Sequence, residues 1–350
     1  MNNDVAAHSL VGLTLKDVWK VKNKIEKTGS QTGSHFSVGY IVEKDGKDFF
    51  LKAFNVNSFL NNSGDFMKTM TEMTDAYNYE KELSEHCMNK HVDKVSFVID
   101  FGEIMLEKFP FPVVPFLVFE LANGDIRKAI DFSNKINTIW KFHSLHEIAI
   151  GLKQLHTINV SHQDLKPSNI LVFNKNNDSK ICDLGRSACL DIKSNFLNMQ
   201  FTGDLTYAPP ETWYKIIEPD WKKRTFAIDC YMLGSLITFY FAGVSMTSIL
   251  LTKIKQEHHH LKWTGTFKEI ESYLQIAFSE ALIELKKSID SEFCKDDIIE
   301  LITQLCNPNP DKRGYCKKIT THNKYSLERI ISKLNLLKYN SQIHFKAYNG

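Results

Sequence analysis

The sequence is poor in arginine. Among its 350 residues the 43 basic side chains include arginine only at 127, 186, 224, 313 and 329, so each guanidinium is a scarce bidentate clamp for an anion. Paired cysteines are missing as well. The seven, at 87, 182, 189, 230, 294, 306 and 316, are odd in number, scattered and never in a C-x-x-C pair, which excludes a disulfide scaffold and the usual zinc-ligand spacing. With no N-terminal signal-peptide pattern, a reducing, cytoplasmic setting is the expectation. An excess of one charge is also absent: Lys plus Arg (43) nearly balances Asp plus Glu (41), leaving +2. No global field then argues for nucleic acid or an anionic membrane, and neither is expected as a partner. There is no internal repeat or long low-complexity linker. Glu257-His258-His259-His260 reads as a solvated loop and is assigned no metal.

One uncharged run, Tyr231 to Thr252, is long enough to cross a bilayer. Asp229 just before it, the hydroxyls of Ser235, Thr238, Ser245, Thr247 and Ser248, and Gly234 and Gly243 inside it fit a buried core helix followed by a loop better.

The length exceeds what one hydrophobic core usually organises, so two lobes are expected. Short apolar runs at Trp19 to Ile25, Phe36 to Glu43 and Lys47 to Phe54, the last two joined by Lys44-Asp45-Gly46-Lys47, predict an antiparallel sheet. The pattern turns helical from Asp65 to Lys90, and a strand pair follows at Val95 to Leu106 and Val113 to Phe119. Helices dominate beyond Gly124. The expected fold is α+β and bilobal. A tail (1–16) precedes a small antiparallel-sheet lobe with one main helix (17–119). A connector (120–124), a larger helical lobe (125–338) and a tail (339–350) complete it. A cleft between the lobes is the natural ligand site.

The chemistry concentrates in His162-Gln163-Asp164-Leu165-Lys166-Pro167-Ser168-Asn169 and Asp183-Leu184-Gly185. Moving a phosphoryl group from a nucleotide needs a carboxylate beside the acceptor hydroxyl, a cation near the transferring phosphate and oxygen ligands for magnesium. These positions supply all three.

In these motifs the chain resembles the eukaryotic-type serine/threonine protein kinase family, from about residue 20 to about residue 320. His162, Asp164, Lys166 and Asn169 match the family's H-R-D-x-K-x-x-N loop. The resemblance implies that Asp164 orients the acceptor hydroxyl, Lys166 neutralises charge on the transferring phosphate and Asn169 binds Mg2+. Asp183 matches the D-F-G aspartate that chelates Mg2+, with Leu184 as the apolar plug and Gly185 permitting a sharp exit. Lys52 matches the strand lysine that holds the α and β phosphates of ATP. Its carboxylate partner is sought on the following helix, where Glu80 shares a face with Leu83 and Cys87; Glu82 and Glu72 are the alternates. The phosphate-covering loop is irregular, and the backbone around Gly33 and Ser34 is the candidate there. The connector, through backbone groups of Glu120 and Ala122 and through Asp125 near the ribose, is the candidate for holding the nucleoside. Phe50 stands where the family commonly has alanine against adenine.

Further on, Pro209-Pro210-Glu211 resembles the family's A-P-E, Asp229 with Gly234 its D-x-W-S-x-G helix start, and Arg313 the late arginine that pairs with Glu211. This downstream set favours a protein acceptor over a small molecule. Lys166 with Pro167-Ser168 resembles the serine/threonine branch, so the implied partners are ATP and a protein bearing a Ser or Thr acceptor. Two departures matter. Gln163 replaces the arginine that receives activation-loop phosphate, and Asp204 replaces a threonine common next to Gly203. The sequence implies an ATP-dependent serine/threonine protein kinase not switched by activation-loop phosphorylation. A pseudokinase scaffold and a small-molecule kinase are the alternatives.

Overall fold

Alternation of apolar and polar side chains gives a strand one buried and one wet face, and burial alternates in this way along Trp19–Lys24 and Val98–Met105. The computed structural model describes residues 5–26, 36–63, 65–130, 138–290, 293–314 and 324–349. It divides into two compact units, residues 1–124 with 182–185, and residues 125–181 with 186–350.

The first unit is a six-stranded antiparallel sheet. Its strands are β1 (Thr14–Leu15), β2 (Trp19–Lys24), β3 (Ser37–Lys44), β4 (Lys47–Phe54), β5 (Val98–Met105) and β6 (Val113–Glu120), in the order β1-β2-β3-β4-β6-β5. Asp45 and Gly46, both at positive φ (51° and 74°), form the two-residue turn that pairs Lys44 with Lys47, the conformation that Asp-Gly favours between twisted strands. One face buries Trp19, Val21, Tyr40, Val42, Leu51 and Phe116. Part of the segment before residue 17 belongs to this core. Ala6, Ala7, Leu10 and Leu15 are buried in the same core and Tyr40 Oη donates to the Ala7 carbonyl at 2.7 Å, because that face of the sheet would otherwise be left wet.

Between β4 and β5 come α1 (Val56–Ser63) and α2 (Phe66–Asn89). Asp65 caps α2 by accepting from the Lys68 amide at 3.1 Å, a bond that satisfies one of the helix's orphan N–H groups. Thr69, Met73, Tyr79, Glu80, Leu83, Ser84 and Cys87 are buried, and Ser84 Oγ accepts from the Val98 amide at 2.7 Å, tying the helix to β5.

The second unit is mainly helical. Its axis is the helix Trp221–Ala242, long and apolar enough to cross a membrane but largely buried within the unit. A Cβ at Gly234 would stand 2.5 Å from Cys306 Sγ and 2.7 Å from Leu305 Cβ; only glycine lets the helix Lys295–Leu305 approach so closely. The helix ends at Gly243, whose φ of 74° forms the left-handed cap. The helix Glu328–Asn349 packs along Thr138–Thr157 and buries Leu334, Leu337 and Ser341, so residues 339–349 continue this helix instead of forming a tail. His258 to His260 sit among aromatic rings, His260 stacked on Trp213 and His258 close against Tyr273; among the described residues no cluster of metal-ligating side chains is found.

Candidate active site

Strand register places Lys52 between Gly39 on β3 and Leu117 on β6. Its Nζ lies 2.8 and 2.7 Å from Glu80 Oε1 and Oε2, and 3.2 Å from Asp183 Oδ1. Of the three helix carboxylates considered, only Glu80 is turned inward; Glu72 and Glu82 are exposed. Burial would push the Lys52 ammonium down, but Asp183 and Glu80 together outweigh it and hold the group above its ordinary value. Burial pushes the Glu80 carboxyl up, an effect Lys52 only partly offsets. Lys52 is thus a fixed cation held between two carboxylates.

Asp183 sits at φ 62°, a left-handed conformation that costs a side-chain-bearing residue about 1–2 kcal/mol. A Cβ at Gly185 would stand 3.3 Å from Glu80 Oε2 and 3.4 Å from Asp183 Oδ1. Glycine there keeps the exit of the turn clear of both carboxylates.

Phe50 has a local explanation. Its ring covers Gly39, where a Cβ would meet Phe50 Cε2 at 2.9 Å, and packs against Phe119 with ring centroids 6.1 Å apart. The missing side chain on β3 makes room for the extra bulk on β4. Glu120 closes β6 opposite Phe49, and Ala122 is half-buried in the connector. Asp125 begins the second unit, where its carboxylate accepts from the Arg127 amide (2.9 Å), Nε (3.0 Å) and Nη2 (2.9 Å). Gly33 and Ser34 lie outside the described residues.

In the second unit two short ladders clamp the loop 162–169. Val160–Ser161 pairs with Ala188–Cys189 ahead of it, and Ile170–Phe173 pairs with Asp178–Ile181 behind it. Asp164 Oδ1 accepts from the Asp204 amide (2.8 Å) and Oδ2 from Asn169 Nδ2 (3.1 Å), while Lys166 Nζ lies 3.2 Å from Oδ2. Asn169 Nδ2 also donates to the Asp164 carbonyl at 2.8 Å, which fixes the direction of its own Oδ1. A carboxylate with oriented lone pairs, a lysine and an amide oxygen therefore share one loop.

What the loop's own spacing does not reveal is its anchor. Asp229, fully buried, accepts at Oδ2 from Ser161 Oγ (2.8 Å), the His162 amide (2.9 Å) and His156 Nε2 (2.8 Å), and at Oδ1 from the Gln163 amide (2.8 Å). Burial alone would raise its pKa, but His156 and the loop amides hold it below the ordinary carboxylate value. The sequence marks Asp229 as the start of a helix, but the helix begins at Trp221 and Asp229 lies in its interior; only folding brings it under the loop. Gln163 follows at φ 58°, its side-chain Nε2 and Oε1 buried without a hydrogen-bond partner among the described residues. A Cβ at Gly203 would stand 2.0 Å from the Gln163 carbonyl oxygen, so this crossing requires glycine. Beyond it, Arg313 spends its guanidinium on Glu211 Oε1 and Oε2 (2.6 and 2.9 Å) and on the carbonyls of Ala227 and Asn307.

A family model described as protein kinase domain matches residues 60–325. The chain belongs to the protein kinase family. It is of the eukaryotic serine/threonine type, and its antiparallel-sheet and helical units are those of that fold. The kinase is 26% identical to the mitogen-activated protein kinase KSS1 of Saccharomyces cerevisiae, over 57% of this chain and 57% of the yeast protein. It is 26% identical to an Aurora kinase of Debaryomyces hansenii over 59% of this chain and 43% of the relative, and 38% identical to mitogen-activated protein kinase 13 of Arabidopsis thaliana over 30% and 28%. The kinase spans about half or less of the length of these relatives. Lys52 and the strands before it precede the family match.

Proposed function

We propose that this kinase is catalytically active and transfers the γ-phosphoryl of ATP to a serine or threonine hydroxyl of a protein. The observation that carries the reading is Asp164. Its two oxygens are fixed by the Asp204 amide, Asn169 and Lys166, so a hydroxyl meets an oriented acceptor for its proton. Lys166 stands beside it to neutralise charge on the transferring phosphoryl. Lys52, clamped by Glu80 and Asp183, is suited to hold the α and β phosphates. Asp183 in the first unit and Asn169 in the second each offer a hard oxygen, the donor type that magnesium prefers alongside phosphate oxygens and water. Magnesium, when bound, supplies charge neutralisation on the phosphates. Backbone groups at Glu120 and Ala122 would hold the adenine edge.

The test is phosphate transfer from labelled ATP by the purified protein, compared with Asp164→Ala and Asp183→Ala. Each variant should lose on the order of 10²–10⁴ in rate; equal labelling by all three proteins would sink the reading. The pseudokinase alternative draws on Phe50, whose ring narrows the sheet face beside Gly39. A wild-type protein that binds no ATP while Phe50→Ala does would favour it.

The regulatory reading follows from Gln163. An amide there offers no charge to a phosphate, and the segment after Arg186 is held by hydrogen bonds to carbonyl and amide groups. Arg224 donates to the Leu197 carbonyl (2.9 Å), Gln200 Oε1 accepts from the Glu218 amide (3.0 Å), and Thr202 Oγ1 donates to the Arg186 carbonyl. Activity is therefore independent of phosphorylation in this segment. Exhaustive phosphatase treatment should leave the rate within about twofold, and a loss of tenfold or more would refute that independence.

A further inference from the structure

Lys166 is shared. Its Nζ lies 3.2 Å from Asp164 Oδ2 and 3.2 Å from Asp204 Oδ2. The second carboxylate cannot swing away, since its other oxygen accepts from the Thr206 amide (3.0 Å) and Thr206 Oγ1 (2.7 Å) as the cap of the turn Leu205–Tyr207. Both carboxylates thus lean on one ammonium at the point where an acceptor must arrive.

The surroundings do not repair the imbalance. Tyr207, the last residue of this turn, feels Asp204, Lys166, Arg127 and Asp164, but Arg127 is already engaged bidentately by Asp125. Arg127 is thus spent on Asp125, and among the described residues Lys166 is the cation paired with Asp204. When Lys166 turns to the transferring phosphoryl, that pairing weakens. Asp164 then takes the acceptor hydroxyl's proton, whereas Asp204 keeps a full charge without its counter-ion.

Resting on the active-kinase reading above, we infer that Asp204 is a specificity-determining residue that selects protein acceptors whose Ser or Thr is flanked by a cationic side chain. A lysine or arginine beside the acceptor replaces the charge that Lys166 withdraws, and an aspartate or glutamate there adds a third carboxylate to the group. A fixed charge within a few ångströms in a partly wet site shifts such a preference by about tenfold. The Asp204 side chain itself is 27% exposed, so an incoming side chain can reach it.

The test compares kcat/KM of wild type, Asp204→Asn and Asp204→Ser on three peptides of one sequence, with lysine, alanine or aspartate on both sides of the acceptor. Asparagine preserves shape and both acceptor contacts while removing the charge; serine keeps a cap for the Thr206 amide should asparagine perturb folding, which melting temperature reports. Wild type should prefer the lysine over the aspartate peptide by about tenfold or more, and the preference should fall to within about twofold in both variants. An equal preference in wild type and variants overturns the role of Asp204 alone. Absence of labelling of every peptide by wild type overturns the active-kinase reading and this inference with it.

Discussion

The trio Lys52, Glu80 and Asp183 behaves as one electrostatic object. Glu80 is nearly fully buried, and its carboxylate is tolerable there because Lys52 makes two short contacts to it. Glu80→Gln removes the charge but keeps an acceptor, so Lys52 should lean toward Asp183. The expected result is a drop on the order of 10²–10³ in kcat/KM, with the protein still folded by circular dichroism. Phe50 makes the opposite kind of prediction. Its ring fills space that Gly39 vacates, so Phe50→Ala should tighten nucleotide binding several-fold in a calorimetric titration while costing about 3 kcal/mol or less of stability, because the site is only half buried. Unchanged affinity would mean that the ring lies off the nucleotide's path. The choice among Glu72, Glu80 and Glu82 was legible from helix spacing, since Leu83 and Cys87 mark the buried stripe. The loop around Gly33 and Ser34 was not, as its glycines follow no regular interval.

At the scale of elements, the loop 162–169 is held by its two short ladders and by Asp229. Four donors converge on that one buried carboxylate. Asp229→Ala should therefore cost on the order of 3 kcal/mol and release the loop, visible as faster amide exchange at His162 and Gln163. The same residue sets a pH dependence. Its folded pKa is lowered, so its contribution is fully present above the unfolded value of about 4 and disappears as pH falls through the lower folded value. Urea midpoints measured from pH 7 down to pH 3 should show a loss below about pH 4 that Asp229→Asn lacks. The strands and α2 were readable from alternation and from a change of period. The uncharged run after Cys230 was ambiguous by composition, and packing decided it: Gly234 is where the helix Lys295–Leu305 comes within van der Waals reach.

On the scale of the whole molecule, the Arg313–Glu211 pair braces the second unit. Arg313 is fully buried, its guanidinium pKa held up against burial by Glu211. Arg313→Met leaves Glu211 buried without its partner and should destabilise by about 3–5 kcal/mol. Adding Glu211→Leu should recover a large part of that loss in thermal melts; failure to recover any would mean that the carbonyl contacts to Ala227 and Asn307, and not the ion pair, carry the brace.

The sequence by itself determined the order of the motifs, and with it the family and the candidates for phosphotransfer, because catalytic groups must recur at fixed spacings along strands and loops. Tertiary structure alone decided that Asp229 lies beneath the loop, that Asp204 shares Lys166 with Asp164, that the Gln163 amide is buried without a hydrogen-bond partner among the described residues, and that Ala6, Ala7, Leu10 and Leu15 join the core. Those facts join positions far apart in the chain. Their energies come from desolvating charges and apolar surface together, which no local spacing encodes.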